Sequence, residues 1–268
     1  MTIDLGGVDC RLGWANKQIV ELNAMHSSFR NRRPYEVVID PNPDRPEQPG
    51  HSHVCLRINE PAATQVITEV ELRAGDIVHS LRAALDNLAW AVVPDHGPNT
   101  AFPIWRRRDA PKPAQYESLV SGKVSGAPDD VINVFLGLEP YFGGSHEALR
   151  TLDYLDTVDR HRLLFAAFAS HQDGEIDFGG DMPGALTGDS FHIPDFGVAV
   201  IPAQRFPLAD GHVLFSGPLE QIQAMPQDPT IQIAFGEPPT LRSKPVVLAL
   251  TELARFVAGV VAQFKVAI

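Results

Sequence analysis

Gly75-Asp76-Ile77-Val78-His79-Ser80-Leu81-Arg82-Ala83-Ala84-Leu85-Asp86-Asn87-Leu88-Ala89-Trp90 is the stretch on which the reading of this chain turns. Ile77, Leu81, Leu85 and Leu88 recur at helical spacing, with Ala84 and Trp90 beside them, so the stretch reads as the middle of a long helix. His79, Arg82 and Asp86 stand at i, i+3 and i+7 and share one face. Such a polar stripe, set beside an apolar one, needs partners from elsewhere in the chain. The best supply is Asp153-Tyr154-Leu155-Asp156-Thr157-Val158-Asp159-Arg160-His161-Arg162. The helix should run from about Ala62 to Val93, opened by Pro61 near its first turn and ended by the stretch Pro94 to Pro98. Gly75 costs it roughly 1 kcal/mol relative to alanine. A close helix contact or a bend at that point would account for the glycine.

Working upstream, residues 11 to 31 read as an amphipathic helix that buries Leu12, Ala15, Ile19, Leu22 and Phe29 and is stopped by Pro34. Tyr35 to Ile39 is a strand by composition, and His53 to Ile58 alternates as a half-buried strand does. The two can pair as a hairpin across Asp40 to Gly50, a polar connection holding four prolines.

Downstream, Phe102-Pro103-Ile104 is an apolar plug and Arg106 to Pro113 a basic loop. Two shorter helices follow at 114 to 121 and 128 to 138, the second with Asp129-Asp130 in its first turn. Residues 145 to 164 form the partner helix, with Ser145 as N-cap. A Gly/Asp-rich surface loop at 171 to 190 precedes strand-like runs at 196 to 201, 213 to 216 and 230 to 235. An apolar helix at 246 to 266, interrupted by Glu252, Arg255, Gln263 and Lys265, closes the core. Helices, then strands, then a helix imply an α+β fold. We expect one domain over 1–268, helix-rich to 165 and strand-rich from 166 to 240, with a helical core packed with a small antiparallel sheet.

The 268 residues are 44% hydrophobic, enough for a substantial core. A net charge of −11 argues against broad, backbone-driven nucleic-acid binding. It leaves room for a local basic groove. Arg30, Arg32 and Arg33 form one cluster and Arg106, Arg107 and Arg108 another, each either such a groove or a set of solvated loop charges. Two cysteines, Cys10 and Cys55, give neither zinc spacing nor a disulfide framework, which points to the cytosol. No secretory leader and no membrane span are expected. Nor is any cofactor, and a homodimer through an apolar helix is.

The stretch from Gly75 to Trp90, the later Phe102-Pro103-Ile104 and the segment from Leu155 to Arg162 resemble a family of uncharacterised bacterial and phage proteins. That resemblance covers about Leu12 to Phe264 and implies little about activity. A second resemblance is to the HEPN class of helical nuclease and nucleotide-binding domains, which carry Arg, four to six residues, then His on a bundle helix. Arg82-Ala83-Ala84-Leu85-Asp86-Asn87 has that arrangement, with Asn87 where the histidine should be. The substitution puts RNA cleavage in doubt, because the group expected to move protons is missing. This resemblance implies a protein that binds or acts on RNA or a nucleotide, with a role in phage–host conflict.

Three readings of the polar residues stay open. In the HEPN-like one, Arg82, Asn87 and His161 form the reactive set, and Arg160, Arg162, His79, Asp86, Asp156 and Asp159 hold the ligand; arginine forks suit phosphate oxygens. In a metal reading, His79, Asp86, Asp156 and His161 hold a divalent ion inside the bundle, though no Glu-x-x-His run is present. In the third, the stripe is architecture. Arg82 then pairs with Asp153 or Asp156, Asp86 pairs with Arg160 or Arg162, and the chain is a non-catalytic binding or assembly module. Tyr141, Trp90 and Trp105 are core or rim aromatics or line a pocket. Nucleophile elbows, Walker loops and dinucleotide fingerprints are absent from the sequence.

Overall fold

A computed structural model describes residues 3–41, 51–170, 190–193, 197–200, 206–224 and 231–267. The fold is α+β, with a helical core and small antiparallel sheets. The chain divides into two compact units, 1–23 with 71–164 and 247–268, and 24–70 with 165–246. The division differs from the helix-rich and strand-rich halves seen in the sequence: residues 24–70, which hold the hairpin with the end of the first helix and the start of the long one, go with the later strands, and the closing helix goes with the helical unit. The 171–189 loop and most of the 40–50 connection lie outside the described residues.

The first unit is helical. It draws on α1 (Gly6–Phe29), α2 (Glu60–Val92), α3 (Pro113–Lys123), α4 (Asp129–Leu138), α5 (Glu147–Asp159) and α7 (Val246–Ala267). Its spine is α2, whose Ile77, Leu81, Leu85 and Leu88 are wholly buried. The 3.6-residue period places these side chains on one stripe, and burial drives that stripe inward. On α1, Ala15, Ile19 and Leu22 are buried as expected, while Leu12 is only half-buried. Phe135 of α4 sits between Phe102 and Phe264, with ring centroids 5.3 and 4.6 Å apart, the first pair edge-on. Leu250, Val257 and Phe264 bury one side of α7. This helix is long and apolar enough to cross a membrane by length and composition, and 44% of that stretch is buried in the protein.

Two helix ends differ from the sequence reading. The partner helix α5 stops at Asp159, so residues 160 to 162 form a turn. Ser145 does not cap it: His146 occupies the N-cap without a side-chain cap bond, and Ser145 Oγ donates to the Leu138 carbonyl at 3.0 Å instead.

The second unit is built on β1 (Tyr35–Pro41), β2 (His51–Ile58), β3 (Ala166–Ser170), β4 (Ser190–Ile193), β5 (Gly197–Val200), β6 (Val213–Pro218) and β7 (Ile231–Phe235), with the short α6 (Leu219–Ala224). One sheet has the order β1-β2-β6-β5-β4, and β3 pairs with β7 in a second, all antiparallel. The expected hairpin forms, with Tyr35 opposite Ile58 and Val37 opposite Leu56. The alternation expected of β2 fails in its middle, where Val54, Cys55 and Leu56 are all buried. Successive side chains of a strand face opposite sides, so burial of all three means that both faces of the strand are covered there. Burial, with Asp40 nearby, pushes the Cys55 thiol up. Strands β3 and β4 and helix α6 had no counterpart in the sequence reading; β3 is a small-residue strand whose Ala166, Ala167, Phe168 and Ala169 are all buried.

Candidate functional site

The polar stripe of α2 meets α5 in two rungs, each centred on a buried aspartate. Asp153 and Asp156 are 3% and 4% exposed, so both carboxylates must be satisfied by the protein. Asp153 Oδ1 accepts from Arg82 Nε at 3.1 Å and from Arg106 Nη2 at 2.8 Å, and its Oδ2 accepts from Arg106 Nε at 2.7 Å. Asp156 Oδ1 lies 3.2 Å from His79 Nδ1, and its Oδ2 accepts from Arg160 Nη2 at 2.5 Å. Each rung thus has one basic group from α2 and one arginine from outside it. The Asp153 carboxylate raises the affinity of Arg106 for its proton still further.

Arg82 also fixes the Phe102-Pro103-Ile104 plug. Its Nη2 donates to the Phe102 carbonyl at 3.5 Å, while the Phe102 N–H donates to Asp86 Oδ1 at 3.0 Å. Arg82 Nη1 lies 2.7 Å from the same Asp86 oxygen, outside hydrogen-bonding geometry. Asp86 therefore serves the plug rather than pairing with Arg160 or Arg162 across the seam.

The three residues of the HEPN-like reactive set are not brought together. Five residues along a helix turn the side chain by about 140°, so Arg82 and Asn87 leave α2 on different faces. Arg82 points to Asp153, whereas the Asn87 amide lies against α1 at Gly7, 3.6 Å from where a Cβ there would sit. His161 is exposed on the turn after α5. Of the ligand-holding set, His79, Asp156 and Arg160 do meet, while Arg162 turns to the Leu163 carbonyl at 3.3 Å. Among the described residues no three His, Cys, Asp or Glu side chains are placed to hold a metal. The bundle-metal set of His79, Asp86, Asp156 and His161 is split between the two rungs and the turn.

Gly75 has a local reason: a Cβ there would overlap the Asp159 carboxylate, so the glycine lets α5 approach. Burial raises the Asp159 carboxyl above the ordinary value of 3.8, with Asp76 and Asp156 adding to the rise and His79 opposing it. A carboxyl raised in the folded state binds more protons there than in the unfolded chain. Stability is therefore lost as pH climbs from the unfolded value through the raised one. Asp159→Asn should stabilise the protein at neutral pH and lose that advantage below about pH 3.8. Paired thermal melts at the two pH values check this, and an equal gain at both would refute it.

Beside the Asp153 rung opens a cleft of about 360 Å³, all within the first unit. Four of its lining residues are cationic, Arg82, Arg106, Arg107 and Lys123, against one carboxylate, Asp153. Phe102, Ile104, Trp105 and Leu119 give it apolar walls. The irregular 101–107 segment is held in place by Ala101 N–H to the Lys123 carbonyl at 3.4 Å, by the Phe102 bonds, and by Trp105 N–H to the Pro140 carbonyl at 3.2 Å. Arg82 and Arg106 are spent on Asp153. Arg107 lies over the Trp105 ring, 5.3 Å from its centroid, and neither it nor Lys123 pairs with a carboxylate among the described residues. The sequence offered the Arg106–Arg108 run and Trp105 as signs of this cleft; nothing in it linked Lys123 or Leu119 to them.

Compared with protein-family models, with curated proteins and with solved structures, the chain matches none.

Proposed function

We propose that this protein is a non-catalytic binding module that takes a phosphate-bearing ligand, RNA or a nucleotide, in the cleft beside Asp153. The observation that carries this reading is a cationic, partly apolar cleft in a chain of net charge −11, with two cations, Arg107 and Lys123, that have no carboxylate partner among the described residues. Unpaired cations fixed around a concavity suit an anion, and apolar walls suit a ligand with a ring system behind it. The ladder of Arg82, His79 and the buried aspartates is architecture on this reading. It sets the register of α2 against α5 and fixes the plug that floors the cleft. The separation of Arg82, Asn87 and His161 gives no support to cleavage, and none is proposed.

Lys123→Glu and Arg107→Glu should each weaken binding of short RNA and of nucleotides more than tenfold at low salt, with unchanged circular dichroism. Both residues carry side chains that reach solvent, so neither change should unfold the chain. Fluorescence titration in a salt series measures it. Wild-type protein that binds neither class of ligand at low salt would end the proposal.

A further inference from the structure

Resting on the anion-cleft reading, we infer that the ligand is a nucleoside monophosphate group, with a terminal phosphomonoester and one base, and that internal RNA phosphodiesters are not recognised. Three observations converge. The first is size. A volume of about 360 Å³ lies at the low end of small-molecule sites, roughly 300–1,000 Å³, and leaves room for about one nucleotide.

The second is charge. Arg82 and Arg106 are balanced by Asp153 and Asp86, which leaves Lys123 and Arg107, the latter over the Trp105 ring, as two positive charges without a carboxylate partner among the described residues. A phosphomonoester carries about −1.5 to −2 at neutral pH and three acceptor oxygens; an internal diester carries a single negative charge. The chain as a whole is acidic, at −11. A longer polyanion would gain little from counterion release on such a chain.

The third is the wall. The Trp105 indole N–H donates to the Asp109 carbonyl at 2.9 Å, which holds the ring in place on the cleft wall. A fixed indole is a stacking surface for any base on the face that Arg107 does not cover, and stacking tolerates base identity. Phe102, Ile104 and Leu119 offer no side-chain hydrogen-bond donor or acceptor to read a base edge. The site should therefore discriminate monophosphate from nucleoside far better than adenine from uracil.

The same chemistry comes from a free mononucleotide or from the 5′-phosphorylated end of a strand. Fluorescence titrations at low salt with 5′-AMP, 5′-UMP, adenosine, inorganic phosphate, and hexaadenylate bearing either a 5′-phosphate or a 5′-hydroxyl distinguish them. We expect AMP and UMP to bind within about threefold of each other, phosphate at least tenfold more weakly, and adenosine and the 5′-hydroxyl hexamer more weakly still. Trp105→Ala should weaken AMP binding at least about fivefold more than it weakens phosphate binding, since it removes the stacking face as well as the ring under Arg107, with Trp105→Phe restoring AMP binding. A 5′-phosphorylated hexamer as tight as AMP assigns a strand end; AMP alone assigns the free nucleotide. A 5′-hydroxyl hexamer that matches or exceeds AMP overturns this inference and leaves the anion-cleft reading standing. Absence of binding by every nucleotide and oligomer overturns both.

Discussion

Arg82→Ala should destabilise the protein by about 3 kcal/mol, the lower end of the loss expected when one partner of a buried ion pair is removed. The Arg82 side chain is 9% exposed and that of Asp153 only 4%. Truncation leaves a desolvated carboxylate with one of its two arginines gone, and it strips the Phe102 carbonyl of its donor. The loss stays at the lower end because Arg106 still holds Asp153 through both oxygens. Arg106→Ala is the contrast. Its side chain is 61% exposed, water can replace it, and it should cost under about 1 kcal/mol. Urea melts of the two variants give the comparison, and an Arg106→Ala loss equal to that of Arg82→Ala would contradict this account of the seam.

Phe135→Ala is expected to cost roughly 3–5 kcal/mol, since it empties a ring's volume from a fully buried position. The ring touches Phe102 on one side and Phe264 on the other. Its loss removes the partner of the plug as well as that of α7. Phe102 forms part of the cleft, so the variant should also bind the cleft ligand more weakly, at temperatures where it remains folded. A loss below 1 kcal/mol would mean that the three rings do not form a core.

Much of the frame was legible in the sequence because it depends on local period. The heptad-like run of Ile77, Leu81, Leu85 and Leu88 gave α2, the prolines bounded it, and the hairpin of β1 and β2 followed from composition and alternation. The need of the α2 stripe for aspartates near residue 155 was also readable, because buried charge must be paired. Which aspartate takes which base was not. Asp153 and Asp156 are one turn apart, and only the helix register decides that Arg82 meets the first and His79 the second.

Strands such as β3 escaped notice because Ala166, Ala167 and Ala169 carry little strand propensity; pairing with β7 and burial override it. The Arg82–Asn87 spacing looked like a site in one dimension and fails in three, because five residues of helix turn the two side chains to different faces. The sequence by itself determined the helical spine, the hairpin, the acidic balance and the demand for paired charges, all of which are set within a few turns of chain or by composition. The tertiary structure alone decided the cleft. Lys123 at the end of α3, the 101–107 segment and Asp153 on α5 are far apart in the sequence. They meet only because burial of Phe102 beside Phe135, and its two hydrogen bonds to α2, bring the basic loop over the seam.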